Sequence, residues 1–173
     1  METVESWPGG YPRDEATVVC HVVHERQWER VQSYIGLAEY EGAKVVVGGR
    51  GKPAGLETGH YVKPTVFAHV DNTMRIAQEE VFGPVVVVIP YEDVDDAVRI
   101  ANESDYGLGG SVWTADRDAG LAVARRVRTG SFGINNYGPD PSAPFGGFKA
   151  SGIGREWGPE GLEDFTELKT IQG

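Results

Sequence analysis

Residues 84–136 constrain the fold more than any other part of the chain. "PVVVVIPY" (84–91) is an unbroken apolar run of strand length, of the kind buried on both faces. "EDVDDAVRIANES" follows, with Val94, Ala97, Val98 and Ala101 at helical spacing as its inward face. Acids crowd its first turn, where the helix dipole favours them. "GGSVWT", "DRDAGLAVARRVRT" and "GSFGINN" then read as strand, helix and strand. Three strands joined through two helices by short links require crossovers, and crossovers make neighbouring strands parallel and right-handed. The expected fold class is therefore α/β, with a parallel-sheet α/β layer.

Upstream, Trp28, Val31, Ile35 and Ala38 recur at spacings of three and four, one face of an amphipathic helix that Gly42 can stop. "AKVVVGG" reads as a short buried strand, "RGKPAG" as a loop, and "GHYVKPTVFAHV" as one or two strands interrupted by Pro64. Residues 1–23 lack a period and form an irregular, divergent segment, leaving residues 24–173 as the organised part. Beyond Asn136 a loop rich in glycine and proline runs to Arg155, followed by a short helix over residues 158–165 and a terminal strand, "ELKTIQ". There is no internal repeat or linker, and 173 residues suit one domain with a real core.

The formal charge of −10 and the absence of a basic run argue against a nucleic-acid surface. The longest apolar run is too short to span a bilayer, and the N-terminus lacks the charged and apolar regions of a secretory signal. The single cysteine cannot form an internal disulfide, so a reducing, cytoplasmic setting is expected. The "NES" sequon at Asn102 is then without meaning as a glycosylation site.

Several motifs bear on chemistry. In "QEEVFGPVVVV" two adjacent carboxylates precede a strand; successive side chains of extended backbone alternate faces, so one should turn toward a cleft. The bland alternative is a solvated turn. "SAPFGGFKASGIGRE" combines Gly146, Gly147, Gly152 and Gly154 with Phe145 and Phe148, a long loop that can approach another surface closely. "GIGREWG" lacks the preceding strand that a dinucleotide loop needs, and "GRGKPAG" carries Pro53 where a phosphate loop needs Ser or Thr. "CHVVH" (20–24) offers three potential ligands at a spacing that fits no standard zinc signature. Cys20 as a nucleophile would need a base and oxyanion donors, and the adjacent His21 points away in extended chain. No serine-nucleophile elbow is present.

The ordered set "GHYVKPTVF", "IAQEEVFGPVVVVIPY", "ANESDYGLGGSVWT", "RTGSFGINN" and "PFGGFKASGIGREWGPEGLEDFTELKTI" resembles the C-terminal part of the NAD(P)-dependent aldehyde dehydrogenase superfamily, from about Arg13 to the last residue. The resemblance implies the C-terminal portion of the family's catalytic domain, ending in a strand used for subunit contact. In the family a cysteine thiolate attacks the aldehyde, hydride passes to the nicotinamide, and water hydrolyses the thioester. By resemblance, Glu80 matches the carboxylate that binds the nicotinamide ribose hydroxyls and Phe82 the aromatic residue packed near that ribose and ring. Asn135 and Phe145 match positions at the substrate pocket, Phe145 as a wall of the aldehyde entrance. Cys20 and His21 stand where the family has Gly and Pro of a turn, so Cys20 is not the catalytic cysteine, and no catalytic or metal-binding residue is assigned.

On this reading the chain covers the last third of a typical member and is inert alone. It would bind NAD or NADP poorly by itself, and an aldehyde would be the substrate only of a complete enzyme. Two alternatives stand beside it: an interaction module whose terminal strand joins full-length subunits, or a chain complemented in trans by a separate N-terminal cofactor-domain chain. Self-association of a solitary copy is expected, because surface that packs against other domains would be exposed.

Overall fold

A computed structural model describes Val4 and residues 6–173, and the chain divides after Pro90 into two compact units. In the first, residues 6–24 hold turns and one isolated bridge, Gly9 to Val19. Helix α1 spans Glu25–Tyr40. His24, in extended conformation, caps it by accepting from the Gln27 N–H through Nδ1 at 3.0 Å. Val31, Tyr34, Ile35 and Ala38 form its buried face; Trp28 is half-buried and donates its indole N–H to the Tyr61 carbonyl at 2.8 Å. The expected stop is Gly42, with φ +100°. The Gly42 N–H bonds Glu39 and the Ala43 N–H bonds Ala38, the paired bonds of a Schellman ending.

The unit's sheet runs β1 (Lys44–Val47), β2 (Thr65–Ala68), β3 (Val85–Val87) in spatial order. β1 pairs antiparallel with β2, with an irregularity between Val45 and Val47; β2 pairs parallel with β3. β2 begins directly after Pro64, which has no N–H to give the ladder. Phe67 of β2 is fully buried with Val31, Ile35, Val62, Val70 and Ile76, so the core lies between α1 and the sheet. A one-turn helix, α2 (Arg75–Gln78), is too short to show a period in the sequence.

The second unit holds α3 (Val94–Glu103), β4 (Gly109–Val112), α4 (Arg117–Ala124) and β5 (Ser131–Ile134). Asp93 caps α3 and Asp116 caps α4, each accepting backbone N–H groups of its own first turn. β4 and β5 are parallel, Gly109 opposite Ser131 and Val112 opposite Ile134, with α4 as the crossover. Asn102 donates from its amide to the Arg126 carbonyl and accepts from the Arg128 N–H, which fixes the sequon asparagine within the structure. Among the described residues no helix is long and apolar enough to cross a membrane.

The α/β class with parallel strands holds, and four expectations need correction. The strands fall into two sheets rather than one layer, because β3 finds its parallel partner upstream in β2. β3 is shorter than the apolar run and not buried on both faces. Val85, Val87 and Ile89 pack on the core, while the pleat turns Val86 and Val88 outward, 60% and 52% exposed. In α3 only Val98 is buried and Ala97 half-buried; Val94 and Ala101 are exposed, so the inward stripe is narrower than the spacing suggests. The terminal "ELKTIQ" is not a strand: a 3₁₀ helix spans Glu160–Phe165, and the residues after it join no ladder. A strand needs a neighbour for its N–H and C=O groups, and here Leu168 and Ile171 are exposed instead.

Candidate functional site

The "EEVFGP" turn leaves α2 and enters β3, and the two adjacent carboxylates part as extended backbone requires. Glu79 turns inward. It accepts two hydrogen bonds from Arg75, at 2.6 and 3.0 Å, and a third from the Tyr34 hydroxyl. The Arg75 guanidinium, then the Tyr34 hydroxyl, hold the Glu79 carboxyl down at about 2, and the Glu79 bond is the main reason that Tyr34 titrates above its ordinary value. A depressed carboxyl stabilises the fold fully above its ordinary value near 4.5 and loses that contribution as pH falls toward about 2. A carbon-detected titration of Glu79 should therefore place its midpoint well below the ordinary glutamate value, and a midpoint near 4.5 would mean the network does not form in solution.

Glu80 turns outward. Its carboxylate has no hydrogen-bond or ion-pair partner among the described residues, while its carbonyl accepts from Arg30 Nη2 at 2.9 Å. Gln27 Nε2 donates to the next two carbonyls, Val81 at 3.1 Å and Phe82 at 2.7 Å. Three consecutive carbonyls of the turn are thus held by two side chains of α1. Phe82 sits at φ +55°, a left-handed conformation costly for a side chain of this size, and the residue is 64% exposed. The turn therefore presents a free carboxylate and an aromatic face from a backbone that is clamped from behind. Beside it a groove of about 720 Å³ is lined by His24, Arg26, Gln27, Arg30, Tyr34 and Arg75.

The other two site residues belong to the second unit. Asn135, at φ +56°, directs one donor and one acceptor of its amide at one residue: Oδ1 accepts from the Thr114 N–H and Nδ2 donates to the Thr114 carbonyl, both at 2.7 Å. The side chain extends the β4–β5 ladder by a step. Phe145 exchanges backbone bonds with Glu156, both 2.7 Å, and its ring lies 5.2 Å from that of Trp157 at 34°. They line a cavity of about 530 Å³ with Leu108, Arg155, Asp164 and Phe165.

Cys20 is exposed. His21 packs edge-on against Tyr61, and His24 commits Nδ1 to the helix cap. Among the described residues no three His, Cys, Asp or Glu side chains converge as a metal site. Sequence reasoning missed Gln27, Arg30 and Tyr34. Their partners lie some fifty residues away, and the only local sign was a tyrosine inside the apolar stripe of α1.

Parallel strands, one pair of them joined through a helix, define an α/β protein, and its clamped turn presents a carboxylate and an aromatic ring. The aldehyde dehydrogenase family pattern matches residues 1–171, and the chain belongs to that family. An aldehyde dehydrogenase of Mycobacterium tuberculosis, solved with NAD+, superposes with a TM-score of 0.93 at 52% identity, over 96% of this chain and 34% of that one. A mutant of aldehyde dehydrogenase C from Pseudomonas syringae, solved with NAD+ and octanal, gives 0.95 at 46% identity, over 98% and 35%. A relative in Staphylococcus saprophyticus, an aldehyde dehydrogenase by name, is 49% identical over 164 residues, 95% of this chain and 34% of that protein. The chain spans about a third of the length of the relatives it matches.

Proposed function

We propose that this chain forms one wall of the nicotinamide and aldehyde sites of an NAD(P)-dependent aldehyde dehydrogenase, which oxidises an aldehyde to a carboxylic acid. By itself it does not turn over, since Cys20 is not the nucleophile of that reaction. The observation that carries this reading is the Glu80 turn. Its unbonded carboxylate can accept from both hydroxyls of a ribose, and the exposed Phe82 ring offers a flat apolar surface for the same sugar and its base. The residues present therefore fit the cofactor. Bound there, NAD+ or NADP+ would supply the hydride acceptor. Glu80 would orient the ribose, Phe82 would exclude water from one side of it, and Phe145 with Trp157 would line the approach of the aldehyde. Asn135 would fix the end of β5 through the two bonds its amide makes to Thr114.

A second reading, compatible with the first, is that the tail after Phe165 serves association with further subunits; the exposure of Leu168 and Ile171 supports it.

The test replaces the matching segment of the Mycobacterium tuberculosis enzyme with this chain. The chimera should oxidise aldehydes, and the purified chain alone should form no NADH. In the chimera, Glu80→Gln should raise the KM for cofactor about tenfold, the worth of a hydrogen bond to a charged group, with the thermal midpoint unchanged. An unchanged KM and kcat would remove Glu80 from the cofactor site.

A further inference from the structure

The groups behind the Glu80 turn form a continuous path of contacts that the chemistry of the turn does not itself use. Arg75 chelates Glu79 with two hydrogen bonds, and Glu79 accepts from the Tyr34 hydroxyl. Two guanidinium groups also lie over the Tyr34 ring, Arg30 at 4.9 Å and Arg75 at 5.8 Å from its centre. Arg30 Nη2 then donates to the Tyr34 oxygen at 3.3 Å and to the Glu80 carbonyl at 2.9 Å. The path runs from Arg75 to the backbone of Glu80, and every link is a directed contact.

Tyr34 is 6% exposed, so the centre of the path is anchored in the core. Arg75, Arg30 and Glu80 are exposed at its two ends. A structural ion pair would need only Arg75 and Glu79. The remaining links join that pair to the one residue of the turn that carries a free carboxylate.

We infer that Arg30, Tyr34, Glu79 and Arg75 are positioning residues: they set the backbone of Glu80 so that its carboxylate projects outward and stays there before a ligand arrives. This deepens the proposed function and rests on it for the identity of the ligand, a cofactor ribose. Pre-set orientation matters because ordering a flexible carboxylate on binding would consume part of the binding energy. Tyr34 is the pivot. Its hydroxyl proton goes to Glu79, which leaves the oxygen lone pair as the acceptor that aims Arg30 at the Glu80 carbonyl.

The test uses the intact chain and reads the turn directly. Backbone ¹⁵N relaxation should give Glu80, Val81 and Phe82 order parameters in the rigid range, about 0.85. In Tyr34→Phe, which removes one oxygen, they should drop toward about 0.6, while those of β1 and β2 stay put. Arg30 is exposed and tolerates change, so Arg30→Met should give the same local loosening even if Tyr34→Phe folds poorly. Arg30→Lys keeps a donor and should restore much of the order.

In the chimera, Tyr34→Phe and Arg30→Met should each raise the cofactor KM about fivefold, the worth of one hydrogen bond, with kcat changed less. Order parameters that stay rigid in both variants would overturn the positioning role. So would looser turns with an unchanged KM, where Glu80→Gln does raise it. If instead Glu80→Gln itself leaves the KM unchanged, the cofactor reading of the turn fails, whereas the relaxation data still decide whether the four residues hold it.

Discussion

Phe67→Ala should lower the unfolding free energy of the first unit by about 3–5 kcal/mol, the range for truncating a buried phenylalanine. Phe67 is fully buried, and it sits in the central strand of the three, opposite Val45 on β1 and Val87 on β3. Neighbours from both the sheet and α1 close around it, and they cannot collapse into the space without breaking a ladder. Domains hold only about 5–15 kcal/mol in total, so the loss should leave a large unfolded fraction in mild urea. Val86→Ala is the control. It removes an apolar side chain one residue from Val87, on the open face of β3, and should cost at most about 0.5 kcal/mol. Urea titrations followed by circular dichroism compare the two. An equal loss at Val86 would mean that this face is covered in solution, by a second copy or by another surface, and would correct the picture of β3 as open on one side.

The legible part of the fold was the part held by short-range rules. The boundaries of α1 followed from a three-and-four spacing and a glycine in left-handed conformation at Gly42, and the α4 crossover followed from strand–helix–strand order. The partner of β3 was not legible. An apolar run states that a strand will be buried but not beside which strand, and β2 lies on the far side of a turn and a one-turn helix that no period reveals. The same division runs through the site. Glu80 and Phe82 stood out through their resemblance to a family motif. The side chains that hold them, Gln27 and Arg30, are ordinary polar residues on a helix surface and gain meaning only when the chain folds back on itself. Asn135 is named by the family resemblance for its place at a pocket, and the bonds its amide makes to Thr114 likewise gain meaning only in the fold.

The seat of the "PFGGF" loop on the second sheet admits a sharp test at Gly130. Gly130 lies just before β5, and a Cβ there would fall 1.6 Å from the Gly146 carbonyl oxygen and 2.7 Å from its carbon. Both are backbone atoms, so no side chain can swing aside. The loop would have to leave the strand, although the Gly107 carbonyl ties the two together by accepting from both Gly130 and Phe148, at 3.1 and 2.8 Å. Gly130→Ala should therefore cost the second unit about 3 kcal/mol, the upper part of the range for overpacking. It should also part the Phe145–Trp157 contact, visible as a red shift of tryptophan emission as the ring meets water. Gly138→Ala, where a Cβ meets nothing within 4 Å, should change stability by less than about 0.5 kcal/mol. A Gly130→Ala protein as stable as its parent would show that the loop does not lie on the strand at this distance. The expected result would establish that the bare Cα of Gly130 lets the backbone of Gly146, and with it the loop that carries Phe145, lie against the start of β5.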